Sequence, residues 1–291
     1  MLKRIQSLLF ENGIALSAPI PTASCRITSP YLLERAGIDT NGTVLIFAIP
    51  YHSAPCEDPL RNCSRYAVSR DYHLFTKQLW ERMEPVLRAE FPSAQFAMFA
   101  DHAPIDERDA AARAGLGVLG ENGLLITKPY SSYVFIGEIV TNAPPPDGLE
   151  IPAEPPRCRS CGACRAACPY LAGQAPECLS ALTQKKGELS AEETDAIVSG
   201  GSVWGCDLCQ EVCPHTKEAI KNGTVASPIP FFNTAQLPHL TYQSVASMTD
   251  ADFSERAYAW RGRAVILRNL AITEQSHAQQ TEKRSTKDKS T

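Results

Sequence analysis

The chain has 291 residues, 44% hydrophobic and 21% charged, with a formal net charge of −4. That composition suits a chain that buries a core, with room for two domains at about 100–200 residues each. It excludes a global electrostatic pull toward nucleic acid or anionic lipid, so either kind of binding needs a local basic patch.

No stretch approaches the roughly 18 apolar residues that span a membrane. The opening, MLKRIQSLLFENGIALSA, holds an apolar run of only Leu8 to Phe10 before Glu11 and Asn12. This is an amphipathic helix rather than a secretory segment. A cytoplasmic location is therefore expected, and there eleven cysteines point to metal or thiol chemistry rather than disulfides.

In chain order, residues 1–143 read as an α/β (α+β) domain. VLIFAIPY (44–51) is a short apolar run ending in proline, consistent with a buried strand. DYHLFTKQLWERMEPVLRAEF (71–91) spaces Leu74, Phe75, Leu79, Met83, Val86 and Leu87 as one helix face. QFAMFA (95–100) predicts a second strand, and ERDAAARAGLG (107–117) a helix ended by Gly115 or Gly117. GLLITK (123–128) and YVFIGEIVT (133–141) read as a hairpin turning at Ser131 and Ser132.

Residues 144–157, PPPDGLEIPAEPPR, carry six prolines and predict an extended connector. A cysteine-rich region follows at 158–222. Residues 223–240 are again broken by prolines, and AYAWRGRAVILRNLAI (257–272) predicts a helix within a short C-terminal remnant, 223–273. Residues 274–291 have no apolar face and predict a disordered tail.

Eight of the eleven cysteines lie between 158 and 213. Cys158, Cys161, Cys164 and Cys168-Pro169 form C-x2-C-x2-C-x3-C-P, the run that wraps three thiolates around one cubane and sends the fourth to another. Cys206, Cys209 and Cys213-Pro214 form a second half one ligand short, and Cys178 lies between the halves to supply it. The count closes at eight thiolates for two [4Fe–4S] clusters in a ferredoxin-like domain. One takes Cys158, Cys161, Cys164 and Cys213; the other takes Cys178, Cys206, Cys209 and Cys168. Structural zinc is the alternative for paired C-x2-C motifs, but it rarely uses a triplet followed by x3-C-P. Cys25, Cys56 and Cys63 lack ligand spacing and read as ordinary small apolar residues or surface thiols.

FADHAPIDERDAAARAGLGVLGENGLLI (99–126) is one long motif. With SRYAVSRDYH (64–73), SSYVFIGEIVTN (131–142), the cysteine runs and WGCDLCQEVCPHT (204–216), it resembles the epoxyqueuosine reductase family. Five motifs in the family's order cover about residues 44–217. The resemblance implies a cobalamin-binding-type N-terminal domain followed by the two-cluster domain. It implies reduction of the epoxide of epoxyqueuosine to queuosine in tRNA, with electrons passing through both clusters from a donor such as ferredoxin or flavodoxin.

By the same resemblance Asp101 is the catalytic proton donor, which requires desolvation to raise its pKa from about 3.9. The plainer reading makes Asp101 the cap of a helix beginning near Pro104. Ser180, Cys206 and Asp207 match corrinoid contacts beside the second cluster, and Leu125 and Ser132 match contacts on the first domain. Arg65, Tyr72 and His73 match the family's RYA…DYH region, or else form a hydrogen-bonded corner. His215 reads as a surface residue. For tRNA, Arg157, Arg159, Arg165, Lys185 and Lys186 are the candidate basic residues.

The chain departs from the family in having Glu121 in Gly120-Glu121-Asn122 where a lysine is usual. Its N-terminal part and the loop between Cys168 and Cys178 are short. The C-terminal helical-repeat domain is reduced to little beyond 241–272, which reads as a compact member. A ferredoxin-like electron carrier and a corrinoid reductase with another substrate are the alternative functions.

Overall fold

The computed structural model describes residues 1–288, except for the side chains of residues 55, 56 and 277–288. Two compact units emerge, and they do not follow linear order. The first takes Met1–His52, Tyr72–Cys161 and Pro214–Phe231; the second takes Ser53–Asp71, Gly162–Cys213 and the chain from Phe232. Residues 53–71, expected in the first domain, belong to the second because Ser64 N–H donates to Trp204 O at 2.7 Å and Val203 N–H donates to Asn62 O at 2.7 Å. Residues 214–231 return to the first, where Ser227 N–H donates to His52 O and Ser227 Oγ to Pro50 O.

The first unit is built on a four-stranded sheet with order β1-β2-β6-β3. Its strands are β1 (Leu16–Pro21), β2 (Thr43–Pro50), β3 (Phe96–Ala100) and β6 (Val134–Thr141), and every pairing is antiparallel. β2 is paired on both edges and buried along its whole length, which is why it reads as an unbroken apolar run. β1 carries Pro19 and Pro21 and lies at the sheet's edge, where a missing N–H is tolerated. A two-stranded ribbon joins β4 (Gly117–Leu119) to β5 (Leu125–Thr127).

The helices of this unit are α1 (Leu2–Glu11), α2 (Pro30–Ala36), α3 (Tyr72–Glu90), α4 (Glu107–Arg113) and α9 (Pro214–Lys221). α4 packs over β2 and β6. Its Ala110, Ala111 and Ala112 meet Val44, Ile46 and Ala48 of β2 and Ile136 and Val140 of β6. Three successive alanines let that helix lie close to the sheet.

The expected hairpin of 123–128 with 133–141 does not form. β5 pairs with β4, while β6 already has both edges occupied by β2 and β3. Between them Thr127 and Ser131 exchange backbone hydrogen bonds at 2.9 and 3.0 Å, closing a turn and not a ladder. The proline-rich stretch is anchored as well. Leu119 N–H donates to Pro156 O at 2.7 Å, and Cys158 N–H donates to Leu119 O at 3.1 Å, so its end lies along β4.

The second unit is helical: α5 (Ala163–Ala167), α6 (Leu179–Gln184), α7 (Ala191–Gly200), α8 (Leu208–Glu211), α10 (Tyr242–Ala246), α11 (Asp250–Ser254) and α12 (Arg263–Asp288). The cysteine region is carried on short helices and loops. α12 packs on α6, α7 and α10, and its buried Asn269 Nδ2 donates to Thr183 O at 2.7 Å and Val203 O at 2.9 Å. This helix runs on to Asp288, through most of the stretch expected to be disordered. Lacking an apolar face, residues 274–288 still hold good helix formers such as Gln279, Gln280, Glu282 and Lys283.

Gly137 of β6 sits opposite Phe47 of β2, and a Cβ there would lie 2.5 Å from the Phe47 ring. Gly137→Ala is expected to destabilise the protein by about 1–3 kcal/mol through overpacking. The effect is read as a lower urea midpoint with an unchanged m-value.

Candidate functional site

Strand β3 ends at Ala100, and the chain turns at Asp101 with φ 68, in the left-handed region. A residue with a Cβ adopts this conformation only where its surroundings impose it, and such strain gathers at functional sites. Here the surroundings are visible. His102 N–H closes the turn onto Ala100 O at 2.9 Å. Pro104 O accepts from Thr28 N–H and Ser29 N–H, and Asp106 N–H donates to Arg26 O. The turn's far side is thus pinned to residues 26–29.

The Asp101 carboxylate is left pointing outward, its side chain 73% exposed, with His73 Nε2 at 3.9 Å. His73 and Tyr72 open α3, and Tyr72 stacks on Phe135 with ring centroids 4.0 Å apart. The helix cap is a different residue. α4 is capped by Asp106, whose side chain accepts from Asp109 N–H at 3.3 Å. The capping role considered for Asp101 is therefore filled five residues later in the chain (106 − 101), by Asp106.

Two further carboxyls, which composition and spacing did not single out, are half-buried Glu107 and buried Glu138. Glu138 of β6 is wholly buried, on the face it shares with Ile136 and Val140. Burial first, and then the charge of Glu107, push its pKa well above the ordinary carboxylate range. Glu107, in the first turn of α4, is pushed up to about 7, by burial first and then by the Asp101 charge, with the Asp101 backbone N–H working against the shift. The signal in the sequence was a lone Glu inside an otherwise apolar strand, FIGEIV. That position in an alternating pattern must face a buried side.

The cysteines of the second unit converge. Burial first, then the charges of Asp207, Cys178 and Cys168, push the Cys206 thiol up to about 11. Three of the four sulfurs expected on one cluster therefore feel one another. Cys161 and Cys178 are exposed, Cys213 is buried, and Cys158, Cys164, Cys168, Cys206 and Cys209 are half-buried. Among the described residues no three His, Cys, Asp or Glu side chains are grouped to hold a single metal ion. Cys158 and Cys161 fall in the first unit and the other six in the second, and soft thiols are the donor type that iron–sulfur cubanes take.

Asp207 fastens this region from below. Its buried carboxylate accepts from Ser64 Oγ at 2.5 Å, Arg65 N–H at 2.7 Å, Arg61 Nη1 at 3.1 Å and Gln210 Nε2 at 3.1 Å. Arg61 and Arg65 both pair with Glu211 as well. Arg65 thus forms the hydrogen-bonded corner, while Tyr72 and His73 belong to the other unit beside Asp101. The three residues of one sequence motif serve two different places.

The remaining expected positions are spread out. Leu125 and Ser132 are buried in the first unit. Ser180 opens α6, and its Oγ accepts from Gln184 Nε2 at 3.1 Å. Glu121 is exposed in the turn between β4 and β5. His215 lines a cavity of about 300 Å³ in the first unit with Lys128, Glu218 and Asn222. Arg157, Arg159 and Arg165 are exposed, whereas Lys185 Nζ is held by Glu193 Oε1 at 2.6 Å. Cys25 and Cys63 are buried; the Cys56 side chain lies outside the described residues.

Comparison with known proteins adds the family. Residues 157–216 match the model of the 4Fe-4S double cluster binding domain. The epoxyqueuosine reductase of Gloeobacter violaceus is 32% identical over 243 residues, covering 79% of this chain and 74% of that protein. The chain belongs to the epoxyqueuosine reductase family. The family's Bacillus anthracis member is 33% identical over 72% of this chain, and there the match spans only 55% of the longer protein. The fold agrees: the structure of epoxyqueuosine reductase from Streptococcus thermophilus superposes with a TM-score of 0.72 at 24% identity, covering 93% of this chain and 80% of that one. A family structure bound to an epoxyqueuosine-modified tRNA-Tyr stem loop gives 0.70 at 24% identity, covering 94% and 81%.

Two outcomes follow. Because Glu107 and Glu138 hold protons in the folded state that the unfolded chain releases, stability falls as pH rises from about 4.5 to about 7. Urea unfolding at pH 5 and pH 7.5 measures this, and Glu107→Gln flattens the difference. Asp207→Ala leaves Arg61 and Arg65 without their buried acceptor and is expected to cost about 3–5 kcal/mol, seen as a lower unfolding midpoint together with loss of bound iron.

Proposed function

We propose that the chain is itself an epoxyqueuosine reductase, reducing the epoxide of epoxyqueuosine in tRNA to the cyclopentene of queuosine. The observation that carries this reading is the exposed carboxyl of Asp101, fixed at a strained turn in a chain that also holds the double-cluster cysteine set. An electron carrier needs the cysteines and has no use for the acid.

The reaction takes two electrons and two protons, and the epoxide oxygen leaves as water. Cys158, Cys161, Cys164 and Cys213 would hold one [4Fe–4S] cluster, and Cys168, Cys178, Cys206 and Cys209 the other. By resemblance, Leu125 and Ser132, and separately Ser180, Cys206 and Asp207, would hold cobalamin. The Leu125, Ser132 and Asp207 side chains are buried, so these positions fit a group recognised through backbone N–H and C=O. When bound, cobalamin and the clusters supply strongly reducing electrons toward the epoxide carbon.

What the chain's own residues add is proton and position. Cleaving the C–O bond leaves an alkoxide, and Asp101 Oδ is the donor placed to protonate it. His73 Nε2 stands 3.9 Å from that carboxylate. A base or corrin face laid over the exposed Asp101 removes the water that otherwise favours its charged form. Arg157, Arg159 and Arg165 offer exposed cations for the tRNA backbone, and a ferredoxin or flavodoxin is the expected electron donor. Among the described residues no helix is long and apolar enough to cross a membrane.

Protein purified without oxygen is expected to hold about eight irons per chain, and with cobalamin and a reductant to convert epoxyqueuosine in tRNA. Asp101→Ala should retain the iron and lose about 10²–10⁴-fold in turnover. Turnover by the variant at the parent's rate removes the assigned acid, and zinc in place of iron removes the whole reading.

A further inference from the structure

The turn that carries Asp101 is bordered by an exposed aromatic pair. Tyr31, the second residue of α2, is 51% exposed. Its hydroxyl lies 2.8 Å from Nε2 of His102, which is also exposed. The two ring centroids are 6.1 Å apart and the ring planes tilt by 46°. Holding this turn does not require the pair. Thr28 N–H and Ser29 N–H already donate to Pro104 O, Asp106 N–H donates to Arg26 O, and Thr28 Oγ1 donates to Ala103 O at 3.4 Å. Ile27 bridges Ile105 as well. A hydrogen bond between two exposed side chains competes with water and adds little to stability. Its effect is to fix two flat rings in solvent, next in the chain to Asp101. The rotamer freedom that binding would otherwise remove is then already lost.

We propose that Tyr31 and His102 form a stacking shelf for a nucleobase of the tRNA, one that neighbours epoxyqueuosine in the loop. This rests on the proposed reaction, with Asp101 as its acid. Adjacent residues have Cα atoms about 3.8 Å apart, so a nucleotide that delivers its epoxide to Asp101 brings its neighbour within reach of the two rings. Bases in an RNA loop are unstacked from one another, and aromatic side chains replace the stacking they lack. The shelf has a polar edge too. With Nε2 engaged by Tyr31, His102 Nδ1 remains to meet the edge of a base. Exposed Arg26, which pairs with Asp106 at 3.8 Å, and exposed Arg35, one helical turn past Tyr31, add cations for flanking phosphates. Every base has a π-face, so the shelf holds the loop without reading its sequence.

Binding is measured on the iron-loaded full chain without reductant, with an epoxyqueuosine-modified stem loop of tRNA-Tyr as the probe. Tyr31→Ala is expected to weaken binding about 5- to 150-fold. The slope of log Kd against log salt should stay the same, because the ring neutralises no phosphate. Tyr31→Phe, which keeps the ring and loses the bond to His102, is expected to bind between the parent and Tyr31→Ala. Making one neighbour of epoxyqueuosine abasic should weaken the parent as much as Tyr31→Ala does, and weaken that variant little further. Tyr31→Ala binding like the parent, a changed salt slope, or losses that add at both neighbouring positions each overturn the shelf. So does a loss of cobalamin uptake with RNA binding intact, which turns the rings toward the corrin. Should Tyr31→Ala not fold, Tyr31→Phe and the abasic loops decide, and parent-like binding throughout overturns the shelf.

Turnover separates this inference from the reading beneath it. The neighbouring base does not react, so Tyr31→Ala is expected to raise KM and leave kcat near the parent's. A lowered kcat with KM unchanged overturns the shelf. A parent that converts epoxyqueuosine, while Tyr31→Ala binds the loop as tightly, overturns the shelf alone. A parent that binds the loop with the expected coupling and leaves epoxyqueuosine untouched overturns the proposed function and leaves the shelf standing.

Discussion

Like charges brought together in a poorly solvated place need a counter-charge, and this constraint shapes both units. In the second unit the Cys206 thiol lies near Cys168 and Cys178, and burial together with their proximity holds its proton on. Thiolates become compatible with that setting only when positive metal is placed among them, because a coordinating thiol is deprotonated by the cation it binds. The cysteine loops are therefore a donor set whose geometry and metal belong together. The folding of 162–213 into short helices around α6, α7 and α8 supplies the scaffold.

In the first unit the same constraint is met by protonation. Among the described residues neither Glu138 carboxylate oxygen has a hydrogen-bond partner, and burial, followed by the Glu107 charge, favours its protonated form. Asp207 shows the third solution. It is buried where Cys206 and Cys209 beside it are half-buried, and it accepts from Arg61 Nη1, Ser64 Oγ, Arg65 N–H and Gln210 Nε2. A buried pair of this kind adds little net stability over apolar packing, yet removing one partner is costly. Its geometric effect is to tie residues 61–65 to Cys206–Cys213.

That tie explains why the units interleave along the chain. Segment 53–71 leaves the sheet after β2 and is held by Asp207, Trp204 and Val203 before α3 returns to the first unit. The Arg65–His73 stretch, continuous in sequence, consequently divides. Arg65 is committed to the corner under the cysteines, and His73 stands 3.9 Å from Asp101.

The double-cluster domain and the general path of 44–100 were legible in the sequence because they depend on short spacings and local periodicity. β2, β3 and α3 fall where VLIFAIPY, QFAMFA and the 71–91 stripe predicted them. Strand pairing was not legible: β6 as the partner of β2 and β3, and not of β5, depends on which edges remain free once the sheet assembles. Nor was the burial of Glu138 legible, since it is complete only when α4 lies across β2 and β6. Asp101 stands between the two cases. Its motif left acid and cap both open, and the placement of Asp106 at the start of α4 gave the cap to another residue. Local chemistry is written in residue order; burial, and with it the protonation of a carboxyl, exists only after distant segments exclude water from one another.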